Sequence, residues 1–229
     1  MTTNTFQGQP ATLVFDLDDT VAVMIDYSVE EQLSTAEQTF GPTQFAELSL
    51  TAMQRIHLVY PGFYALFQWL IAEGCRLCFF SNAVEQRNIE RGDGLLRRNF
   101  CVRAPEVLQN VGIFSRRHCI DTTELPRDQE TRRQYQSLFY GQRKKKLEGV
   151  IVTREQLPDT LLIEDDTSYM VTGEEENLIA LPCYAVYLSS HWNSHLWESL
   201  HKAYLLAGLL DEVFTTAHEQ KLPLTRAAM

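Results

Sequence analysis

The sequence contains no uncharged apolar run approaching the ~20 residues that a helix needs to cross a bilayer. Its first ten residues, MTTNTFQGQP, lack the basic segment and the apolar core of a signal peptide. It also has no internal repeat, no low-complexity tract and no Gly/Ser-rich linker. These absences predict a protein without a membrane span that stays in the cytoplasm where it is made.

Cysteines are few, and their spacing does not match a zinc site. There are five: Cys75, Cys78, Cys101, Cys119 and Cys183. The first two form a CxxC within CRLCFF, a predicted buried strand, where residues three apart point to opposite faces. The cysteines are therefore interpreted as reduced thiols in the core.

An excess of positive charge is also missing. The net charge is −10 and the pI is near 5.1, which argues against a generic nucleic-acid-binding protein. The charge is nevertheless uneven, because nine Lys and Arg residues lie between positions 116 and 146 and an acidic stretch follows at 164–176. Both stretches are interpreted first as solvated surface.

Short apolar runs alternate with helical patterns along the 229 residues, which predicts an α/β fold with a central parallel sheet. We treat residues 1–229 as a single domain. The predicted strands are Thr12–Asp16, Arg76–Phe80, a weaker one near His118–Ile120, Thr160–Ile163 and Cys183–Leu188. A helix is predicted to begin at Pro61 and to end at Gly74.

Three segments fall outside this minimal alternation. Residues 24–58 form an insertion that predicts two short helices broken at Gly41-Pro42. The segment 103–146 is long, polar and basic, and it contains few patterns that predict a helix or a strand. Residues 194–217 have apolar side chains at helical spacing, which predicts an amphipathic helix packed on the domain.

The most informative stretch is LVFDLDDT, residues 13–20, in which three acids directly follow a buried strand. Ligand sites of open α/β sheets lie outside the carboxyl ends of the strands, and Asp16 stands at such an end. Like charges repel one another, so a cation or a reaction is needed to hold Asp16, Asp18 and Asp19 together.

Three further segments are predicted to reach the same edge of the sheet. Ser81 and Asn82 follow the second strand, in CFFSNA, and Asp165 and Asp166 follow a later one, in LLIEDDTS. The segment KKKLEG supplies a lysine 19 to 21 residues before Asp165. Taken singly, each has a plainer interpretation, as a helix cap, a capping loop or a surface charge.

DLDDT, SN, a lysine and DD, in this order, resemble the haloacid dehalogenase (HAD) superfamily of phosphohydrolases. The resemblance covers roughly residues 11 to 190. It implies a Rossmann-like three-layer sandwich with the DxD strand at the centre of the sheet. The short insertion would be a minimal cap.

The resemblance also implies a mechanism. Asp16 would be the nucleophile that forms an aspartyl-phosphate, and Asp18 the general acid and then the base, with a pKa raised by crowding against Asp16. Mg²⁺ would be held by Asp16, the main-chain carbonyl of Asp18 and Asp165, although Asp165 and Asp166 could exchange roles. The presence of Asp18 favours a phosphatase over a dehalogenase, which has no alkoxide to protonate.

The remaining site residues implied by the resemblance bind the substrate. Thr20 and Ser81 would position the acids and the phosphoryl group, with Asn82 beside them. A lysine would steady nucleophile and phosphate. The sequence does not decide among the three neighbouring lysines, and we prefer Lys146 because it is nearest to the following apolar residues.

The size of the insertion bears on the substrate. Residues 24–58 are too few for a helical cap that encloses a metabolite, so an open site is expected. Such a site suits a phosphorylated side chain of a protein or peptide, and phosphotyrosine is favoured. Two alternatives stay open: a phosphatase of small phosphomonoesters, and a HAD-fold binding module without turnover. Capless HAD tyrosine phosphatases also occur among effectors that intracellular bacteria secrete into host cells, and no motif here establishes that origin.

Overall fold

The computed structural model describes residues 5–6, 9–25, 30–100, 111–121, 143–182 and 201–229. Its strands are β1 (Thr5–Phe6), β2 (Gln9–Pro10), β3 (Thr12–Phe15), β4 (Ala22–Ile25), β5 (Ser49–Ala52), β6 (Arg55–Val59), β7 (Arg76–Phe80), β8 (Gly112–Phe114), β9 (Ile120–Asp121), β10 (Arg143–Lys144), β11 (Thr160–Glu164) and β12 (Leu178–Ala180). Its α-helices are α1 (Glu30–Leu48), α2 (Phe63–Ala72), α3 (Glu85–Phe100), α4 (Lys202–Gln220) and α5 (Leu224–Ala227). Short 3₁₀ turns lie at Arg116–His118, Leu157–Asp159, Thr167–Tyr169 and Glu175–Asn177.

Within the described residues, five strands form a parallel sheet in the order β12-β11-β3-β7-β8. The strand that leads into Asp16, β3, is therefore central. Its residues alternate between two buried layers: Leu13 and Phe15 join one apolar cluster and Val14 joins the other. Because both faces are covered, the strand is apolar throughout rather than alternating. The predicted α/β fold with a central parallel sheet is confirmed.

Aromatic side chains join α2 to the sheet. The ring of Phe67 lies 5.0 Å from that of Phe15 and 5.5 Å from that of Phe79, in edge-to-face contacts. On the outer side of α2, Trp69 packs against Phe214 of α4 at 5.8 Å. The predicted amphipathic helix thus packs on the domain, although residues 194–200 lie outside the described residues.

The insertion combines helix and sheet. Helix α1 is interrupted at Gly41, whose φ of 71° and ψ of 160° are not helical, so the predicted break at Gly41-Pro42 is confirmed. The rest differs from the prediction, because β4, β6 and β5 form a three-stranded antiparallel sheet. The main-chain carbonyl of Val21 accepts a hydrogen bond from the N–H of Tyr60, which holds this sheet against the chain that leaves the Asp16 loop.

Two predicted strands are not part of the observed parallel sheet. The strand predicted near His118–Ile120 corresponds to the short β9 at Ile120–Asp121, which pairs antiparallel with β10 and lies outside the parallel sheet. The parallel strand in this part of the chain is β8, at Gly112–Phe114, followed by a 3₁₀ turn. The strand at Cys183–Leu188 lies outside the described residues, and β12 pairs with β11 at that side of the sheet. In the described part of the chain, no helix combines the length and apolar character needed to cross a membrane.

Candidate active site

Residues from the carboxyl ends of four parallel strands line one pocket of about 710 Å³. They follow β3, β7, β8 and β11, and a further contribution comes from the chain after β10. The described residues that line it are Asp16, Asp18, Asp19, Ser81, Asn82, Arg87, Arg116, Lys145, Glu164, Asp165, Asp166, Thr167 and Tyr169. The structure therefore brings the predicted DxD, SN and DD segments together at one edge of the sheet.

A buried ion cluster occupies the floor of the pocket. The Nζ of Lys145 donates to Oδ1 of Asp16 at 2.5 Å and also to Oε2 of Glu164. Burial raises the pKa of Asp16 to about 6, against the opposing effect of Lys145. Burial alone would lower the pKa of Lys145, but the two carboxylates outweigh it and raise that pKa above its ordinary value. The lysine is thus held as a cation beside Asp16.

The structure brings Lys145, and not the preferred Lys146, to Asp16. The N–H of Lys145 donates to the carbonyl of Tyr169 at 2.6 Å, and Val171 donates back to the carbonyl of Lys145 at 3.3 Å. This pairing turns the side chain of Lys145 into the pocket, while Lys146 is only half-buried and Lys144 contacts the carbonyl of Ser168. Three adjacent lysines are chemically equivalent in a sequence, so only this pairing distinguishes them.

Asp16, Glu164 and Asp165 offer one carboxylate oxygen each, and these oxygens lie within 4.8 Å of one another. Carboxylate oxygens are the hard ligands that Mg²⁺ takes in proteins, and a single lysine cannot neutralise three of them. The donor set therefore fits a divalent cation. The hydroxyl of Thr20 donates to Oδ1 of Asp165 at 3.0 Å and so fixes the orientation of that carboxylate.

Two predicted metal residues have side chains that are engaged elsewhere. Asp166 caps the 3₁₀ turn after it, where its Oδ1 accepts the N–H of Ser168 at 2.9 Å. Asp18, whose main-chain carbonyl was the expected ligand, turns its carboxylate towards α3. Glu164, which was not among the predicted site residues, completes the group of three carboxylates with Asp16 and Asp165.

Three donors hold the carboxylate of Asp18. Oδ2 accepts from Ser81 Oγ at 2.7 Å and from Arg87 at 2.8 Å, and Oδ1 accepts from Arg91 at 2.8 Å. Burial opposes the charged form of Asp18, but Arg91 and Arg87 outweigh it and lower its pKa below the ordinary value. The expectation that crowding would raise this pKa is therefore wrong. The pair Arg87 and Arg91 was missed, although its i, i+4 spacing on a helix that follows SN was a readable signal.

The loop that carries Asp16 and Asp18 is fixed from the far end of the chain. Asp19 adopts a φ of 58°, a left-handed conformation that Asp tolerates better than most residues. The buried Lys202, at the start of α4, donates to the carbonyl of Asp19 and lies 5.0 Å from the ring centre of Tyr60. Helix α4 thus helps to set the course of the loop.

The sequence matches no protein-family model and no curated protein. Among the solved structures that align with the chain are two with a TM-score of 0.43 each. The first is Fcp1, an essential RNA polymerase II CTD phosphatase, at 13% identity over 88% of this chain and 54% of that one. The second is the fission yeast RNA polymerase II CTD phosphatase Fcp1 bound to beryllium fluoride, at 12% identity over 96% and 60%. The chain spans less than two thirds of the length of either structure.

Proposed function

We propose that this chain is a Mg²⁺-dependent phosphomonoester hydrolase that acts through an aspartyl-phosphate on Asp16. One observation carries the proposal: a buried carboxylate at the end of the central strand is paired with a buried lysine, beside two more carboxylates within metal-ligand distance. Asp16, Glu164 and Asp165 would hold the ion. Bound there, Mg²⁺ would offset the charge repulsion between a carboxylate and a phosphate and polarise the phosphoryl group.

In the proposed reaction, the carboxylate of Asp16 attacks phosphorus and the bond from phosphorus to the ester oxygen breaks. The electron pair of that bond leaves with the oxygen. Water then hydrolyses the acyl-phosphate, which releases inorganic phosphate and restores Asp16. Lys145 stays charged throughout and orients Asp16, since its Nζ donates to one oxygen of that carboxylate.

The acid and base role of Asp18 stays a prediction. Its carboxylate accepts three hydrogen bonds, so its position relative to the pocket is fixed by Ser81, Arg87 and Arg91. If Asp18 protonates the leaving oxygen, Asp18→Asn should slow an alkyl phosphate more than p-nitrophenyl phosphate, whose leaving group needs little protonation. Equal losses on the two substrates would count against the acid role.

The substrate that we propose is a phosphorylated protein side chain, with phosphotyrosine favoured. Arg87 and Arg116 line the pocket and add positive charge that would attract an acidic phosphopeptide. The described part of the insertion is one broken helix and a small antiparallel sheet, a minimal cap for a site of this kind. A small phosphomonoester is the alternative substrate.

The experiment compares the wild type with Asp16→Asn on p-nitrophenyl phosphate, with circular dichroism to verify the fold. We expect the variant to lose turnover, because an amide cannot form an acyl-phosphate. A folded variant that keeps more than a few per cent of the rate would overturn the nucleophile assignment. A panel of phosphopeptides beside sugar phosphates and nucleotides then separates the two substrate classes. A metabolite preferred by about tenfold would replace the phosphoprotein.

A further inference from the structure

One wall of the pocket is built by three residues that come from three different strand ends. Tyr169 lies after β11, Asn82 after β7 and Arg116 after β8. The side chain of Asn82 lies close enough to the phenol of Tyr169 to affect its pKa. The Nε and Nη2 of Arg116 donate to the main-chain carbonyl of Asn82 at 3.3 Å and 3.2 Å. Arg116 therefore fixes the main chain at Asn82, and the side chain of Asn82 stands beside the tyrosine ring.

The same ring is also fixed relative to the nucleophile. The carbonyl of Tyr169 accepts the N–H of Lys145 at 2.6 Å, and the Nζ of Lys145 lies 5.4 Å from the centre of the ring. That Nζ is 2.5 Å from Oδ1 of Asp16. Among the described residues that line the pocket, Tyr169 is the only aromatic one. The pocket thus has one aromatic surface, placed beside the group that would attack phosphorus.

An aromatic side chain in this wall would favour a substrate whose leaving group carries an aromatic ring over one with an alkyl leaving group. A phosphoryl group at Asp16 places the first atoms of its leaving group a few ångströms away, within reach of Tyr169. A phenol ring at that position can pair with the tyrosine ring edge-to-face or offset. The short alkyl chain of serine or threonine presents no ring for either contact.

We propose that Tyr169 is the specificity-determining residue of a leaving-group subsite that takes an aromatic ring. The substrate class is then the aryl phosphomonoesters, of which phosphotyrosine is the protein-borne member. This inference rests on the proposed phosphatase function and names the substrate class of the same site. Asn82 and Arg116 act as positioning residues, because they build the wall beside the ring.

The test uses two peptides of identical sequence, one with phosphotyrosine and one with phosphoserine at the same position. In Tyr169→Ala, we expect the KM for the phosphotyrosine peptide to rise about fivefold. The kcat/KM for the phosphoserine peptide should stay within about twofold of the wild type. Tyr169→Phe keeps the ring and should restore the phosphotyrosine KM. Tyr204→Ala is the matched control, because that tyrosine is 67% exposed on α4 and lies outside the pocket.

A binding measurement adds a readout that does not depend on turnover. In the Asp16→Asn background, Tyr169→Ala should weaken the phosphotyrosine peptide about fivefold and leave the phosphoserine peptide unchanged. If Tyr169→Ala does not fold, Tyr169→Leu makes the same comparison with an apolar side chain that has no aromatic face. Equal losses for both peptides would overturn the subsite. A wild-type protein that hydrolyses no phosphomonoester at all would instead overturn the proposed function.

Discussion

The side chain of Lys145 is expected to contribute strongly to the stability of the metal-free protein, because it is the cation between two buried carboxylates. Lys145→Met removes the charge and keeps most of the volume. We expect the metal-free protein to lose about 3 kcal/mol of unfolding free energy, since Asp16 and Glu164 would be left without a counter-charge. Urea unfolding in EDTA measures the loss. Lys146→Met, at a half-buried neighbour, should change the unfolding free energy by less than about 0.5 kcal/mol.

Lys145 also shows where residue-scale prediction from sequence stops. The types Asp, Ser, Lys and Asp-Asp and their order led to the proposed chemistry. The Asp, Ser and Asp-Asp segments each come after a run of apolar residues that can be read directly, whereas the lysines do not. Which lysine turns inward depends on the pairing of Lys145 with the chain around Met170, and that contact has no local sequence signal. Glu164 was missed for a similar reason, because the last residue of a strand points either way until the register is known.

His57 gives a second residue-scale prediction, because it is fully buried in the insertion sheet. Neither ring nitrogen has a hydrogen-bond partner among the described residues. Burial is the main cause that lowers the pKa of His57 from 6.5 to about 3, and the positive charge of Arg91 is the next largest. Asp18 raises this pKa by less than Arg91 lowers it, and Arg87 and Arg55 lower it further. A depressed pKa means that His57 is neutral in the folded protein while its unfolded counterpart gains a proton below pH 6.5. The contribution of His57 to the unfolding free energy is therefore complete above pH 6.5. As the pH falls from 6.5 towards 3, the unfolding free energy decreases by about 1.4 kcal/mol for each pH unit.

The measurement is the unfolding free energy at pH 7, 6 and 5 for the wild type and His57→Phe. The variant should show a shallower decline with falling pH, because it lacks the group that the unfolded chain protonates. His218→Phe is the control, since that histidine is exposed on α4 and its variant should keep the wild-type slope. Parallel declines for wild type and His57→Phe would contradict the prediction.

At the scale of whole elements, the sequence predicted the interior strands of the parallel sheet. It missed the edge strand β8 and the antiparallel sheet of the insertion. The strands β3, β7 and β11 are covered on both faces and therefore read as continuous apolar runs. The edge strand β8 is only half-buried and carries a glycine, so its signal is weak. The antiparallel sheet of the insertion was missed because β5 and β6 are short and joined by Met53 and Gln54, both at positive φ, rather than by the usual Gly or Asn.

The contact between α2 and α4 supports a paired prediction. Gly62, just before α2, has a φ of 91°, and an added Cβ would stand 3.0 Å from the Cβ of Ala203 at the start of α4. Gly62→Ala should therefore destabilise the protein by about 1–3 kcal/mol through backbone strain. Gly208 lies within α4, where an added Cβ meets nothing within 4 Å, so Gly208→Ala should stabilise by about 0.5–1 kcal/mol. Thermal unfolding measures the change in melting temperature for both variants, which should be negative for Gly62→Ala and positive for Gly208→Ala. Equal changes would contradict the close approach of Gly62 to Ala203.

For the molecule as a whole, the pocket has more acid than base among its lining residues, which predicts a strict metal requirement. Activity should be lost after removal of metal with EDTA and should return with Mg²⁺. Ca²⁺ should inhibit, because it takes more ligands at longer range and would bind both oxygens of Asp16, so that the carboxylate no longer points at phosphorus. Steady-state rates at defined Mg²⁺ and Ca²⁺ concentrations test this. Full activity in the metal-stripped protein would contradict the proposed mechanism.

The contacts of the site join residues that are far apart along the chain. Asp16 and Lys145 are 129 positions apart, Asp18 and Arg91 are 73 apart, and Thr20 and Asp165 are 145 apart. A parallel sheet with such separations has a high contact order and is expected to fold slowly, because long loops must close before these pairs can form. A growing chain on the ribosome carries Asp16 long before it carries Lys145, Glu164 and Asp165. The carboxylates and the lysine of the candidate site can therefore come together only late in synthesis, after β11 has been made and can pair with β3.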